Sequence, residues 1–253
     1  ERETLAVVQG RLGLGVGLFL AVILGLFLVT GVGLRDAIGL AFFYLLLPAL
    51  GWAQLPLLSR TVIDRLPVYA GSAATLVFIG TVALVCGARP EGEGSVNAFP
   101  GLVGLPIGVL FSWVGGLVGL GLLAVLALEP LDRQVTDGSS DIVNQLLPRT
   151  PREKTAFAGL SVAAGVGEEL AYRGYALAAL EPFVSGPWSA AVVSTVPFAL
   201  LHTYQGSVGT LRTGLIGFAF AGSVVVTGSL LPAICAHTLF DLLAGFVVGP
   251  WLL

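Results

Sequence analysis

Three apolar stretches of this chain carry ionisable side chains that are unusual in such surroundings. The segment GVGEELAYRGYAL contains Glu168, Glu169 and Arg173, and the two histidines of the chain, His202 and His237, lie in two later apolar stretches. A charged group at the centre of a membrane helix costs about 2.5–3.5 kcal/mol even on insertion scales, so such groups are kept where they have a function. The pattern predicts an active site inside a membrane.

Helical spacing places these residues on defined faces, because positions four apart are neighbours on one side of an α-helix. Three pairs have this spacing: Glu169 and Arg173, Phe198 and His202, and His237 and Asp241. The first is an ion pair that keeps its arginine charged at membrane depth and fixes the rotation of its helix. Glu168 points about 100° away from Glu169, so its side chain is expected to face polar groups of the neighbouring helices.

The chemistry that these groups support is hydrolysis by an activated water. Glu168 can take a proton from water, and His202 can share or shuttle that proton. Alternatively, a divalent metal such as zinc is held by Glu168, His202 and His237, with a fourth position for water. Each residue alone is compatible with a structural role in packing or ion pairing, but their occurrence on three helices favours a functional site.

The composition places the chain among membrane proteins. Hydrophobic residues make up 56% of it and charged residues 11%, and the mean hydropathy is +0.95. A soluble domain of this size is far less apolar. The net charge of -3 offers no basic field for nucleic acid, so we expect no nucleic-acid partner.

Apolar runs of about 20 residues, the length that crosses a bilayer, predict an all-α, polytopic transmembrane helix bundle of about eight spans. The runs are 12–30, 40–58, 73–88, 104–128, 158–182, 188–205, 209–227 and 230–248. A polar stretch over 129–157, with a short interfacial helix predicted over 139–147, separates four spans from four. All the residues above follow this stretch. Residues 1–138 are therefore expected to form a membrane scaffold of about four helices, and residues 139–253 the catalytic core.

The distribution of basic residues between the spans predicts the orientation. Nine lie on one side: Arg2, Arg11, Arg60, Arg65, Arg133, Arg149, Arg152, Lys154 and Arg212. The other side has only Arg35 and Arg89. The positive-inside rule then places both termini in the cytoplasm. Arginine supplies all but one of the basic residues, as is typical of GC-rich coding sequences, so the expected location is a prokaryotic plasma membrane.

Three short motifs resemble those of a known family. EELAYRG is similar to an EExxxR motif, FALLH to FxxxH, and HTLFD to HxxxN/D, the three motifs of the CPBP intramembrane proteases, the CAAX-protease and bacteriocin-processing group. They occur in the family's order on successive apolar segments, and the resemblance covers about residues 145–245. It implies a polytopic α-helical endopeptidase whose site opens to the cytoplasmic side or to the membrane interior.

The resemblance also implies roles for the residues. Glu168 would activate the hydrolytic water with His202, Glu169 and Arg173 would support the motif helix, and His237 and Asp241 would stabilise an oxyanion or hold a metal. The family is described both as metalloproteases and as glutamate-dependent proteases. Asp241 stands where eukaryotic CAAX enzymes have Asn, and an ionised Asp accepts hydrogen bonds but cannot donate one to an oxyanion. Asp241 is therefore protonated, orients the ring of His237, or ligates a metal. The spacing favours the orienting role.

The predicted function is that of a membrane-embedded endopeptidase that hydrolyses a peptide bond near the cytoplasmic membrane face. Its expected partners are membrane lipids and a peptide or protein substrate, lipidated or amphipathic. Two alternatives have a physical basis. Buried Glu, His and Asp side chains also relay protons in proton-coupled transporters. A non-catalytic membrane partner, such as a bacteriocin-immunity protein, would keep the motifs for packing alone.

Overall fold

The computed structural model describes residues 2–30, 33–58, 62–87, 101–102, 104–135 and 139–252. The described residues form nine helices and no strand, which confirms the all-α prediction. Five of the helices precede the family motifs: α1 (Arg2–Gly25, extended by the π-helical segment Leu26–Thr30), α2 (Leu34–Leu58, with the π-helical segment Phe42–Leu46), α3 (Arg65–Gly87), α4 (Ile107–Asp132) and the short α5 (Ser139–Leu146).

Four helices carry the motifs or connect them. They are α6 (residues 151–180, π-helical over Glu169–Ala176), α7 (Pro187–Leu201), α8 (Gly206–Thr227) and α9 (residues 231–252, π-helical over Ala244–Val248). Helix α6 is the longest of the four. The first carboxylate motif lies where its α-helical part passes into the π-helical part.

Six of the described helices, α1 to α4, α8 and α9, are long and apolar enough to cross a membrane. Helices also occupy the other two predicted positions. The span predicted over 158–182 is α6, which carries the ionisable cluster, and the span predicted over 188–205 is α7, whose 15 residues are fewer than a usual span needs. The chain is therefore an integral membrane protein. The count of eight spans and the cytoplasmic termini stay predictions, and Arg60 and Arg89 lie outside the described residues.

Helix α6 begins at Pro151 because the preceding residue caps it. The Thr150 hydroxyl accepts a hydrogen bond from the backbone N–H of Glu153 at 3.2 Å, and the Glu153 carboxylate accepts from the backbone N–H groups of Thr150 at 2.8 Å and Arg149 at 2.7 Å. These backbone hydrogen bonds hold the pKa of Glu153 below its ordinary value. Arg65 of α3 lies 3.7 Å from the same carboxylate, so the start of α6 is also tied to α3.

Two glycines allow close helix packing on both sides of α6. A Cβ atom on Gly165 would overlap Thr238 of α9, and one on Gly167 would overlap the backbone of Leu76 in α3. Small residues permit such approach between membrane helices. Helix α6 accordingly packs between α3 and α9, while α4 covers α8 and α9, and α2 packs against α1 and α7. This packing places the residues that follow Gly167 directly against α9.

Candidate active site

The carboxyl group of Glu169 is the centre of the polar cluster and is completely buried. Its Oε1 atom accepts a hydrogen bond from the guanidinium of Arg173 at 3.1 Å and lies 2.7 Å from Nδ1 of His237. Because an ion-paired carboxylate only accepts, Nδ1 of His237 carries the hydrogen and donates it. Arg173 also donates to the carbonyl of Gly217 at 2.8 Å. One arginine and one carboxylate thus join α6, α8 and α9.

The second ring nitrogen of His237 faces two further carboxyl groups. Nε2 lies 3.7 Å from Oε2 of Glu168 and 3.8 Å from Oδ2 of Asp241, both longer than a hydrogen bond. The side chain of Asp241 is 30% exposed and that of Glu168 is 13% exposed, whereas Glu169 is fully enclosed. The Nε2 face of the ring is therefore the more accessible one, and it is the face at which a substrate would meet the histidine.

Phe198 provides the apolar support of this cluster. The guanidinium carbon of Arg173 lies 4.0 Å from the centroid of its ring, within the range of a cation–π contact. The same ring packs edge-on against Tyr172 at 5.3 Å and against His237 at 6.4 Å between centroids. Phe198 thus packs α7 against the cluster, and its side chain contributes apolar contacts only.

His202 lies at the end of α7 and not inside a span, so the boundary predicted at residue 205 is wrong. Helix α7 ends at Leu201, and a 3-10 turn follows that closes at Gly206, where φ is +79° and glycine is favoured. Nδ1 of His202 lies 2.9 Å from the Phe198 carbonyl. Among the described residues, no hydrogen bond or ion pair joins His202 to Glu168 or His237. Its link to the cluster is ring packing against Phe198, at 5.0 Å between centroids.

A row of hydrogen-bonded polar side chains beside His202 was not predicted from the sequence. The Thr213 hydroxyl donates to Oε1 of Gln205 at 3.1 Å, and Nε2 of Gln205 donates to the Tyr204 hydroxyl at 3.2 Å. The ring of Tyr204 lies 6.0 Å from the ring of His202 between centroids. The only available signal was closeness along the chain, because Tyr204 and Gln205 lie two and three residues after His202 in HTYQG. These residues form one edge of the candidate site.

Two carboxylate oxygens of the motif are buried without a hydrogen-bond partner in the described part of the chain. They are Oε2 of Glu168 and Oε2 of Glu169. Most buried acceptors in folded proteins are satisfied, so exceptions mark places where a donor is accommodated. The Glu168 oxygen is the one that also faces Nε2 of His237, and it is therefore available to a donor from a water or a substrate.

The donor set for a metal is not assembled in the structure. Within the described ranges, no group of three or more His, Cys, Asp or Glu side chains is placed to hold a metal ion. Of the predicted zinc ligands Glu168, His202 and His237, His202 bonds the Phe198 carbonyl through Nδ1, and no hydrogen bond or ion pair among the described residues joins its Nε2 to the other two residues. A zinc-dependent reaction would be lost in the presence of a chelator and restored by zinc.

The polar cluster is separate from a groove of about 570 Å³ that runs between α3 and α6. Small side chains such as Ala70, Ala73 and Gly159 line that groove. No residue of the carboxylate and histidine cluster does. The candidate site is therefore defined by its polar contacts and by the two carboxylate oxygens without a hydrogen-bond partner, and not by this groove.

Comparison with protein families gives a match to the part of the chain that carries the three motifs. Residues 152–243 match the family model described as Type II CAAX prenyl endopeptidase Rce1-like. Residues 152–243 are thus similar to the Rce1-like proteases. The match includes all three motifs, so the predicted resemblance to the CPBP group is confirmed, and α1 to α5 lie outside it. The match implies a protease that acts on peptides in a membrane environment and does not favour the transporter or the silent partner. No curated protein and no solved structure matches the chain.

Proposed function

We propose that the Rce1-like domain hydrolyses a peptide bond with a water that Glu168 activates. The observation that carries this proposal is the position of Oε2 of Glu168, a buried oxygen without a hydrogen-bond partner, 3.7 Å from Nε2 of His237. A positioned carboxylate of this kind contributes about 10²- to 10⁴-fold as a general base. Apo sites commonly show such long contacts, which shorten when substrate binds.

In this mechanism Glu168 takes one proton from a water as the water oxygen forms a bond to the carbonyl carbon of the substrate. The carbonyl oxygen becomes an oxyanion. When the carbon–nitrogen bond breaks, Glu168 returns the proton to the departing amine, so the carboxylate is regenerated and protons balance. The products are a new carboxylic acid, which then releases its proton to solvent and becomes a carboxylate, and a new amine.

His237 stabilises the oxyanion in this proposal. Its Nδ1–H is held by Glu169 at 2.7 Å, which fixes the ring plane and leaves Nε2 to face the reaction. In the imidazolium form Nε2–H donates to the oxyanion, and the negative charge of Asp241, 3.8 Å away, stabilises that form. The orienting role expected of Asp241 thus falls to Glu169, the closer carboxylate. Assistance from His202 in water activation stays a prediction.

The proposed substrate is a membrane-associated peptide, and a prenylated CAAX end is the form to test first, because the matching family is named for that activity. Membrane lipids are the expected surroundings of both protein and substrate. Residues 139–253 are proposed as the catalytic core, with the site reached from the cytoplasmic face of a prokaryotic plasma membrane and with both termini on that side.

A cleavage assay with purified protein in lipid nanodiscs tests the proposal. The probe is a fluorescence-quenched peptide that ends in a CAAX sequence, either farnesylated on its cysteine or unmodified, with and without 1,10-phenanthroline. We expect cleavage of the farnesylated peptide, slower cleavage of the unmodified one, and no effect of the chelator. Activity that disappears with chelator and returns with zinc would assign the metal mechanism instead. Cleavage of neither peptide would overturn the proposed function.

Replacing Gly165 by Ala is expected to damage the site by pushing α9 away from α6. The added Cβ would overlap the hydroxyl and the backbone nitrogen of Thr238 and would press on the carbonyl oxygen of Ile234; the two backbone atoms cannot move independently of α9. Overpacking of this kind costs about 1–3 kcal/mol, and a shift of about 1 Å in a catalytic group costs about 100-fold in rate. The measurements are the melting temperature and kcat/KM for the farnesylated peptide.

The matched control for that substitution is Gly159→Ala on the same helix, where a Cβ has no atom within 4 Å. It should leave both quantities unchanged. Equal behaviour of the two variants would refute the assignment of Gly165 as the point of closest approach between α6 and α9.

A further inference from the structure

Two π-helical segments face each other across the interface between α2 and α6. The Tyr172 hydroxyl of α6 donates to the carbonyl of Phe43 in α2 at 3.1 Å, and the Tyr44 hydroxyl of α2 donates to the carbonyl of Ala176 in α6 at 3.4 Å. Both acceptors lie in π-helical segments, Phe42–Leu46 and Glu169–Ala176. Each segment therefore donates a tyrosine hydroxyl to the backbone of the other.

A third tyrosine adds to this connection. The Tyr175 hydroxyl donates to Oδ1 of Asp36 in α2 at 3.3 Å, and its ring packs against Gly39, where any Cβ would overlap the phenol. Tyr175 is 2% exposed and Tyr172 is fully buried. We call the three tyrosines with their acceptors, namely Tyr44, Tyr172, Tyr175, Phe43, Ala176 and Asp36, the tyrosine latch.

The position of the latch within α6 connects it to the chemistry. Tyr172 lies three residues after Glu169 and directly before Arg173. It therefore shares the π-helical segment with Glu169, which contacts the ring of His237, and with Arg173, which pairs with Glu169. π-Helical turns are rare, and they occur often at functional sites. A carbonyl oxygen has two lone pairs, so a hydroxyl from another helix can bond to it without breaking the helix. The latch thus stabilises the turn that aims the two glutamates.

We propose that α2 is a positioning element of the active site, in which the tyrosine latch fixes the rotation of the Glu169–Ala176 segment and, through it, the direction of Glu168. Helix α2 lies outside the residues that the family model matches, so this assigns a catalytic support role to the N-terminal half of the chain. The inference rests on the proposed function. Tyr44, Tyr172 and Tyr175 are positioning residues, since their hydroxyls bond to Ala176, Phe43 and Asp36.

The test is Tyr172→Phe, which removes one hydroxyl and keeps the buried ring. We expect kcat for the farnesylated CAAX peptide in nanodiscs to fall by about 10- to 100-fold, because small misplacements of a catalytic group have effects of this size. KM should stay within about twofold, since the latch touches no substrate. Backbone hydrogen exchange within residues 169–176 should accelerate, measured by mass spectrometry on the same sample.

The matched control is Tyr69→Phe. The Tyr69 hydroxyl also donates to a backbone carbonyl of another helix, Leu146 of α5 at 2.5 Å, but it joins two helices that carry no residue of the site. It should lower stability without changing kcat or exchange in residues 169–176. A conservative pair adds a rescue test: Asp36→Asn keeps an acceptor for Tyr175 and should retain kcat, whereas Asp36→Ala should lower it.

Two results would overturn the latch: wild-type kcat in Tyr172→Phe, or an equal loss of kcat in Tyr69→Phe. Failure of the proposed function is separately visible, because wild-type protein would then cleave neither peptide. If the wild type cleaves neither peptide, hydrogen exchange is the measurement that tests the latch. Unchanged exchange in residues 169–176 of Tyr172→Phe overturns the latch, and acceleration confined to that segment supports it.

Discussion

Glu168→Gln is expected to lower kcat by about 10²- to 10⁴-fold while the melting temperature stays that of the wild type. The amide has nearly the same shape as the carboxyl but cannot take a proton from water. Stability should be preserved because Oε2 of Glu168 has no hydrogen-bond partner to lose in the described part of the chain. The measurements are kcat for the farnesylated peptide and thermal unfolding in the same detergent.

Glu181→Gln is the control for this substitution, because it makes the same chemical change at an exposed carboxyl group just beyond the end of α6. Both activity and stability should remain at wild-type levels. Turnover retained in Glu168→Gln would remove Glu168 from the mechanism. A large fall in its melting temperature would show that Glu168 is a structural residue.

Arg173→Ala is expected to reduce stability by about 3–5 kcal/mol and to abolish activity. The substitution leaves the carboxylate of Glu169 fully buried without its cation, and an uncompensated buried charge has an effect of this size. It also removes the hydrogen bond to Gly217 that joins α6 to α8. Arg173→Lys should recover only part of the loss, because an ammonium group cannot reproduce the two-pronged geometry of the guanidinium. Unfolding in detergent and kcat/KM are the measurements.

The matched control is Arg133→Ala, which removes the cation from another glutamate–arginine pair four residues apart. That pair lies at the protein surface, where the arginine side chain is 72% exposed, so the loss should be about 0–1 kcal/mol. A melting temperature of Arg173→Ala equal to that of Arg133→Ala would contradict the structural role of the buried pair.

The positions of the helices could be predicted from the sequence because apolar length is a local property. Helix α8 was expected over 209–227 and is found over Gly206–Thr227, and the short α5 was also anticipated. The end of α7 was placed four residues too late: the helix ends at Leu201, and the residues up to 205 form a 3-10 turn that closes at Gly206, where φ is positive. Apolarity marks burial in lipid but carries no signal for where a helix ends.

The internal pair Glu169 and Arg173 could also be anticipated, since both residues lie on one helix. The contact between Glu169 and His237 could not be predicted, because the spacing of residues along one helix does not indicate which carboxylate a side chain of another helix contacts. That choice depends on how closely α9 approaches at Gly165. The expected pair of His237 and Asp241 has the right spacing, yet its atoms are 3.8 Å apart while Glu169 is at 2.7 Å.

The contribution of α2 was hidden for a related reason. Its Tyr44 and Phe43 look like ordinary aromatic residues of a membrane helix, and the π-helical segments that face each other have no sequence signature of their own. Only the packed structure shows that a backbone carbonyl in α2 accepts a hydrogen bond from the motif helix. The N-terminal half, expected to be scaffold, therefore also contacts the turn that begins at Glu169 and directly follows Glu168.

The most direct test of the central claim is hydrolysis of the farnesylated CAAX peptide in H₂¹⁸O, followed by mass spectrometry of the products. We predict that the wild-type protein forms a cleaved peptide whose new carboxylate contains ¹⁸O from the solvent. The Glu168→Gln variant, equally folded, should form no product above the level without protein. Product formation by Glu168→Gln at the wild-type rate, or no cleavage by the wild type, would contradict a hydrolase in which Glu168 activates the water.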